Sequence, residues 1–462
     1  MRLTKILYKL VITLFNKKTL KIMQISNQNL KRCFQQIIIF IILLILLKNE
    51  SYSIPAFARK YKTACATCHV SITKRNAMGE AFRRNGYNLP SQLQSWIKDP
   101  PLKLGADSWK DVWPEGIWPS SIPGSVPLAI YAAFSIQNNF PQASSPKLLL
   151  DMPVDLGFIF AGTFGDDISF FGSWSTEYGS SRMFLRFNKL FNLEDFFNLK
   201  IGKFEPGIND SYPGNQKITM SNTILQDFAP AGDWSTRKSH SGFELSGIIN
   251  HSVNYQIGVV NGIGYDNLNS FDKFDYYGRI GLKLGGFFLD GSDRKNESPQ
   301  PDFSEYNAVM IGFFAYFGNS LKQDALKKTF NNDFQRYGID LKYSYGNLDL
   351  LGGLMSGTDL KPDTTFKALS SLVYFGEVNY IFYPWLIGVL RAEHAYSKND
   401  ISDKDIFTNI IPNLTILVRQ NLRVSIEGLF TFQHDKNVGG SIIKVDKRES
   451  FKNLKFLALV AF

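Results

Sequence analysis

In the stretch FQRYGIDLKYSY, residues 334–345, apolar side chains alternate with glycine or charged side chains from Arg336 to Tyr343. Ile339 and Leu341 fall on one face of an extended chain, and Arg336 and Asp340 fall on the other. A period of two residues is that of a β-strand. A strand with one apolar face and one charged face fits a wall that separates lipid from a polar interior. This stretch predicts a membrane-crossing strand.

The same alternation recurs along the chain, for example in residues 252–261 and 422–432. It predicts an all-β fold, a transmembrane antiparallel β-barrel of about sixteen strands that occupies residues 128–462. The expected strands are 128–138, 152–163, 166–176, 181–190, 196–204, 240–250, 252–261, 274–288, 304–317, 333–345, 347–356, 369–382, 385–397, 407–419, 421–433 and 452–462. An even number is what a closed bacterial barrel requires.

The connections between these strands support the prediction because long and tight ones mostly alternate. The long ones, expected outside the cell, are 139–151, 205–239, 262–273, 318–332, 357–368 and 434–451. The tight ones, expected in the periplasm, lie at Gly165, His251, Gly346, Tyr383-Pro384 and Gln420. Two connections depart from the pattern, a longish inner one at 290–303 and a short outer one at 177–180. A soluble β-sandwich is the alternative fold, and it would place the charged faces in solvent.

Alternation also predicts which charged side chains point into the lumen. They are Arg182, Arg186, Glu244, Arg279, Lys283, Arg336, Asp340, Lys342, Arg391, Glu393, Arg423 and Glu427. It would be energetically unfavourable for these charges to face lipid. The interior is therefore expected to be filled with water or with a plug.

The longest connection, residues 205–239 (hereafter loop 3), takes the position of the third external loop. In general porins that loop folds inward and narrows the pore. If it does so here, Asp210, Asp227 and Asp233 would give it an acidic lining. A loop that lies over the rim is the other reading.

The formal charge of +10 belongs mostly to residues 1–53, which hold nine Lys or Arg and one acid, Glu50. The remainder carries 42 basic and 40 acidic residues, which removes the main support for a nucleic-acid partner. The apolar run at 37–47 follows the basic residues and is shorter than the roughly 20 residues of a spanning helix. Residues 1–53 are therefore predicted to be a signal peptide, with an uncleaved anchor as the alternative.

The motif ACATCHV, residues 64–70, is the attachment signature of a c-type haem. Cys65 and Cys68 can add to the two vinyl groups of one porphyrin, and His69 can ligate the iron beside them. A zinc half-site would want a second Cys/His pair nearby, and a thioredoxin-type redox pair would want a βαβ setting. The third cysteine, Cys33, lies in the predicted signal peptide. The sequence thus predicts one covalent haem c, with His69 as the metal ligand.

The second axial ligand of the iron stays open. Met78 is the nearest candidate, but a helix over residues 70–83 would carry it only about 13 Å along one side of the haem. Met78 and Phe82 are spaced i, i+4, which favours packing over ligation. The later histidines could ligate only if the small domain docks into the barrel; they are His240, His251, His394 and His434.

Four regions follow from these patterns. Residues 1–53 are the signal peptide, 54–90 a small α-helical monohaem cytochrome c domain, 91–127 a Trp- and Pro-rich connector and 128–462 the barrel. The connector holds four of the seven tryptophans, which a plain flexible linker would not carry.

The run IPAFARKYKTACATCHVSITKRNAMGEAFRRNGY, residues 54–87, resembles the N-terminal part of fused monohaem c-type cytochrome–porins of bacterial outer membranes. The matching elements are Pro55, Phe57-Ala58-Arg59, the CxxCH at 65–69, Asn76, Gly79-Glu80-Ala81-Phe82 and Asn85-Gly86-Tyr87. Over the barrel the likeness is generic to porins. The resemblance implies that Cys65, Cys68 and His69 hold haem and that the haem domain plugs or lines the barrel. It also implies electron transfer from an extracellular donor such as ferrous iron.

Three functions remain open at this point. The first is electron transfer across the outer membrane through one haem, between an extracellular donor or acceptor and a periplasmic c-type cytochrome; as an enzyme this would be extracellular iron oxidation. The second is a porin-type solute channel with a haem-binding gate or docking module. The third is a peroxidase, for which the sequence nominates no acid/base pair. Lipid of the outer membrane is an expected partner in the first two.

Overall fold

The fold is described from a computed structural model of the chain. The described residues are 56–61, 64–89, 102–103, 121–122, 126–140, 148–164, 167–176, 182–193, 195–209, 217–231, 234–262, 273–293, 307–324, 326, 328–364, 368–399, 404–438, 441–444 and 450–461. The predicted signal peptide and the four connector tryptophans lie outside them, so both interpretations stay predictions.

Residues 56–89, here called the N-terminal segment, combine helices with a small hairpin. A 3₁₀ turn at Cys65–Thr67 lies between the two helices and is followed by the hairpin. The regular elements are α1 (Ala56–Tyr61), β1 (His69–Ser71), β2 (Lys74–Arg75) and α2 (Ala77–Arg84). Residues 70–83 therefore do not form one continuous helix, since helix α2 begins only after the hairpin. Strands β3 (Leu102–Lys103) and β4 (Ser121–Ile122) pair with each other in the connector region.

The rest of the described chain forms a closed antiparallel barrel. Its strands are β5 (Leu128–Asn139), β6 (Leu148–Phe164), β7 (Ile168–Ser175), β8 (Arg182–Phe187), β9 (Asn198–Phe204), β10 (His240–Ile249), β11 (Val253–Val260), β12 (Asp275–Gly285), β13 (Ala308–Gln323), β14 (Thr329–Tyr345), β15 (Leu348–Asp359), β16 (Leu369–Tyr383), β17 (Leu386–Asn399), β18 (Lys404–Arg419), β19 (Leu422–Val438), β20 (Ser441–Lys444) and β21 (Ser450–Ala461). The short β20 pairs with the end of β19, β19 also pairs with β21, and β21 pairs with β5 to close the ring. Sixteen strands thus make the wall, as the sequence predicts.

Successive side chains of each strand point alternately to the lumen and to the exterior, as predicted. On β14 the inward Asp340 and Arg336 are 0% and 1% exposed, while the outward Ile339 and Leu341 are 40% and 41% exposed. Of the twelve charged residues expected inside, ten are buried, and Arg182 and Lys342 are partly buried. The outward faces of the other strands likewise carry exposed Leu, Ile, Phe and Tyr side chains. An apolar exterior around a charged interior is the pattern of a membrane barrel.

Several strands extend farther than the sequence pattern indicates. Residues 318–332 are predicted as a long loop, but β13 runs to Gln323 and β14 starts at Thr329. The added residues are mostly polar, with Leu321 and Phe330 as exceptions, so no hydrophobic alternation marks the chain as extended. Backbone pairing continues nevertheless, for example between Lys322 and Phe330. The pairing of β13 with β14 extends beyond the lipid-facing apolar residues because main-chain hydrogen bonds do not require an apolar face.

Among the residues that the structure describes, no helix is long and apolar enough to cross a membrane.

The exterior of the barrel generates the first prediction. Ile339→Arg places a charge on the outward face of β14, and we expect it to lower the free energy of unfolding in lipid by about 2–4 kcal/mol. Leu326→Arg is the control, because Leu326 lies between β13 and β14 and is 89% exposed. Urea unfolding in liposomes, followed by heat-dependent gel mobility, measures both. Equal stability of the two variants would contradict a lipid-facing role for Ile339.

Candidate functional site

The CxxCH motif folds as one compact turn. The Cys68 amide donates to the Cys65 carbonyl at 3.1 Å, so both cysteines lie on a single turn of chain. His69 follows directly as the first residue of β1. Neither cysteine forms a disulfide. The structure therefore brings together the three residues that the sequence predicts for the site.

Asn76 holds this turn against helix α2. Its side-chain amide donates to the carbonyls of Ala66 and Thr67 at 3.2 and 3.1 Å, while its backbone amide donates to the Cys68 carbonyl at 3.0 Å. Its side-chain oxygen accepts from the Gly79 amide and so caps the helix. One side chain thus fixes both the motif and the start of α2.

Gly79 permits this close approach of turn and helix. A Cβ at this position would lie 2.1 Å from the Cys68 carbonyl oxygen. Any larger residue would push the helix away from the motif. Asn76 and Gly79 belong to the stretch that resembles the cytochrome–porins, but only the contacts reveal what they do.

Burial sets the protonation of the motif. It raises the pKa of the Cys68 thiol to about 12 and also raises the pKa of the Cys65 thiol. Burial and the positive charge of Arg75 lower the pKa of the His69 imidazole to about 4. At neutral pH His69 is therefore neutral, which is the form that binds a metal.

The residues present fit a covalent haem c. Two free thiols and one neutral imidazole are the donor set that such a group takes. The Nδ1 atom of His69 is buried and has no hydrogen-bond partner among the described residues. No group of three or more His, Cys, Asp or Glu side chains that could hold a metal ion occurs among the described residues.

The candidates for the second axial ligand occupy different places. Met78 packs with Tyr61, Phe82 and Leu89, as the packing interpretation of Met78 and Phe82 indicates. His251 lies in the turn between β10 and β11, where its Nδ1 is 2.6 Å from an Asp290 carboxylate oxygen.

The other two described histidines belong to the barrel wall. His240 is buried on β10, and neither of its ring nitrogens has a hydrogen-bond partner in the described part of the chain. His394 lies on β17 next to the inward Glu393, and its Nδ1 is 2.9 Å from the Thr408 hydroxyl. The His434 side chain lies outside the described part of the chain. The described geometry brings none of these histidines to the motif.

The hairpin of the N-terminal segment is joined to lumen-facing side chains of the barrel. Lys74 forms an ion pair of 2.5 Å with Asp349, the second residue of β15. Val70 packs with Ile387, the second residue of β17. Both wall residues come just after a tight turn, at Gly346 and at Tyr383-Pro384 respectively. The hairpin therefore contacts the tight-turn end of the wall.

Helix α2 is joined to the wall at its C-terminal end. Arg186 on β8 donates to the carbonyls of Arg83 and Arg84, in the last turn of the helix. Tyr87, just after the helix, stacks on Phe171 with ring centroids 5.8 Å apart. Charge at the helix end and aromatic stacking beyond it fix α2 against β7 and β8.

Loop 3 folds into the lumen, which decides between the two readings of the sequence. The Ile224 amide donates to the Glu393 carboxylate at 2.9 Å, and Leu225 is completely buried. Helix α3 (Ile224–Asp227) packs among inward aromatic side chains of the wall, including Tyr316.

Glu427 on β19 anchors the loop through three donors. It accepts from the amides of Met220 and Ser221 at 2.7 and 3.0 Å and from the Ser221 hydroxyl at 2.7 Å. Arg391 on β17 adds donations to Thr219 and Ser221. Charged lumen residues thus hold the backbone of loop 3 in place.

Of the three acidic residues expected to line the pore, Asp227 lies among the described residues. Asp227 is exposed and forms a 2.6 Å ion pair with Arg237. Asp210 and Asp233 lie outside the described residues.

Loop 3 and the N-terminal segment meet at Arg423. One guanidinium nitrogen of Arg423 donates to the Thr73 hydroxyl at 2.8 Å and to the Ile218 carbonyl at 3.1 Å. The Thr73 hydroxyl itself donates to the Lys217 carbonyl. The loop from one end of the barrel thus touches the hairpin that follows the CxxCH motif. The sequence predicts that Arg423 faces inward but carries no signal for this junction.

Two solved structures share the fold of the barrel. OmpT expressed in the outer membrane of Vibrio cholerae is 12% identical with a TM-score of 0.50, over 73% of this chain and 97% of that one. An anion-selective porin from Comamonas acidovorans is 11% identical with a TM-score of 0.50, over 73% of this chain and 99% of that one. No protein-family model and no curated protein matches the chain.

These comparisons define the class of the fold. The chain has the porin-like, sixteen-strand β-barrel of bacterial outer-membrane proteins. At such low identity the likeness concerns the fold alone. It does not extend to haem or to electron transfer.

The contacts of Asn76 lead to the second prediction. Asn76→Ala removes the helix cap and the two donations to the motif, and we expect the motif to open more readily by about 1 kcal/mol or more. In haem-free refolded protein, alkylation of Cys65 and Cys68 should become about fivefold faster. Asn331→Ala, at an exposed position on β14, is the matched control. An unchanged alkylation rate would show that Asn76 does not hold the motif.

The anchoring of loop 3 leads to the third prediction. Glu427→Gln replaces one acceptor oxygen by a donor that faces other donors, so loop 3 should loosen. We expect a larger and noisier conductance in planar bilayers than for the unchanged chain. Asp333→Asn makes the same chemical change at a half-exposed site and should leave the conductance unaltered. A conductance that Glu427→Gln does not change would contradict the anchoring role.

Proposed function

We propose that this protein carries electrons across the bacterial outer membrane through one covalent haem c. The group would be held by Cys65, Cys68 and His69 inside the periplasmic end of the barrel. The observation that supports this most is the junction at Arg423, where the hairpin after the motif meets loop 3. The site is thereby linked to the wall and to a loop that enters from the opposite end.

The physical need for such an arrangement follows from the membrane. A hydrocarbon layer of about 30 Å insulates against electron transfer. A closed barrel can bring a redox group into that layer without exposing polar backbone to lipid. One group does not cover the whole distance, so a periplasmic c-type cytochrome and an extracellular donor or acceptor are the proposed partners. Ferrous iron is the extracellular donor that the sequence resemblance suggests.

The chain's own residues contribute positioning and exclusion of water. When bound, the haem supplies a one-electron Fe(III)/Fe(II) couple. His69 is neutral at pH 7 and can ligate without first losing a proton. Asn76 and Gly79 keep the thiols and the imidazole on one compact turn. Loop 3 packs apolar residues such as Ile218 against Val70, which limits the access of water to the hairpin.

A porin-type solute channel is the second candidate. The fold comparisons support it more directly than they support electron transfer, because the structural neighbours are porins. In this alternative the N-terminal segment would serve as a gate or docking module. The inward position of loop 3 is compatible with a constricted channel as well as with a plugged barrel.

The fourth prediction separates the two functions. The purified protein should retain a haem-staining band after denaturation, and Cys65→Ala with Cys68→Ala should lose it, since both thioether bonds are then impossible. Cys33→Ser is the matched control and should keep the band. In liposomes that enclose an oxidised c-type cytochrome, external ferrous iron should reduce the enclosed protein only through the haem-loaded chain.

Two results would contradict electron transfer. The first is the absence of covalent haem from protein isolated from the outer membrane. The second is haem that no external donor reduces and no external acceptor oxidises. A large ohmic conductance in planar bilayers, together with either result, would favour the channel.

A further inference from the structure

Arg75 stands opposite the proposed iron ligand. In the β1–β2 hairpin the Cα atoms of His69 and Arg75 are direct partners. Partnered residues of an antiparallel pair have Cα atoms about 4.5–5.5 Å apart. Side chains of directly paired residues project from the same face of the ladder, with Cβ atoms about 4.5–5.5 Å apart. A permanent cation therefore lies beside the site.

Glu80 fixes the position of this cation. Its carboxylate accepts from Arg75 Nε at 2.7 Å. It also pairs with Arg83 at 3.0 Å and with Arg84 at 3.7 Å. One carboxylate thus pairs with three guanidinium groups, and Arg75 is the one that lies opposite His69.

Partial burial keeps the charge effective. The side chains of Arg75 and Glu80 are 20% and 16% exposed. Charges shielded from water interact more strongly than charges in bulk solvent, and salt screens them less. The cluster can therefore influence a redox group held by the adjacent histidine.

We infer that Arg75, positioned by Glu80, sets the reduction potential of the haem proposed for Cys65, Cys68 and His69. This inference rests on the proposed function, because it requires that haem. One electron passes from an external one-electron donor to the ferric iron, and then to an oxidised periplasmic c-type cytochrome. No bond forms or breaks and no proton moves. A neighbouring cation favours the less positive ferrous state and so raises the potential.

The fifth prediction uses two neutral substitutions with opposite effects. Arg75→Gln removes the positive charge and should lower the midpoint potential of the haem. Glu80→Gln removes the compensating negative charge and should raise it. Each variant should change the ratio of ferrous to ferric haem at a fixed potential by about tenfold, which is about 59 mV for one electron. Spectroelectrochemistry of the full-length haem-loaded protein in detergent measures both shifts.

Two further variants serve as controls. Arg75→Lys keeps the charge and should stay close to the unchanged protein, whereas a purely structural role of the guanidinium would not be rescued by lysine. Lys273→Gln removes an exposed charge that pairs with Asp333 and should not shift the potential. If Arg75→Gln fails to attach haem, the other two variants still test the proposal. It then requires a higher midpoint potential in Glu80→Gln and an unchanged midpoint potential in Arg75→Lys.

The failures of the two proposals are distinguishable. Shifts of the same sign, or no shifts, in a protein that does carry and transfer electrons through haem would overturn only the role of Arg75. An absence of covalent haem from the unchanged protein would overturn the proposed function and this inference together.

Discussion

The structure depends on one constraint, that main-chain polar groups cannot be left without partners in hydrocarbon. A closed barrel satisfies it because every strand has two neighbours and no edge faces lipid. Sixteen strands do so here, with β21 paired to β5. In the closed wall, the pleat of each strand sends one side chain to lipid and the next to the lumen. Apolar and polar residues therefore alternate along each strand with a period of two. The apolar exterior and the charged interior both follow from this single requirement.

A charged lumen creates a second requirement, because buried charges need partners. Arg279 pairs with Asp340 and Arg336 with Asp359, each at 2.8 Å with both side chains nearly inaccessible to solvent. Other lumen charges find their partners in inserted chain. Glu427 accepts from the backbone of loop 3, and Arg423 donates to both loop 3 and the hairpin of the N-terminal segment. The insertions and the charges therefore stabilise each other.

This mutual dependence connects the two proposed functions. A channel requires a polar lumen with a constriction, which loop 3 supplies. An electron carrier requires a redox site held inside an insulating layer, which the contacts of the N-terminal segment with Asp349 and Arg186 would supply. The comparisons establish the porin-like fold, and the CxxCH motif carries the case for haem. Arg75 on the hairpin, held by Glu80 on helix α2, is the residue proposed to control the potential of that haem.

The number of strands, the two faces of each strand and the three residues of the CxxCH motif are all predicted from the sequence. These properties are local, because alternation and spacing are visible within a dozen residues. Tertiary structure alone decided that loop 3 folds inward, that residues 69–75 form a hairpin and that Arg75 stands opposite His69. It also decided the contacts of Arg423 with Thr73, which is 350 residues away in the chain. Such contacts arise because closure of the barrel brings distant segments together. The local alternation of residues along the sequence does not predict them.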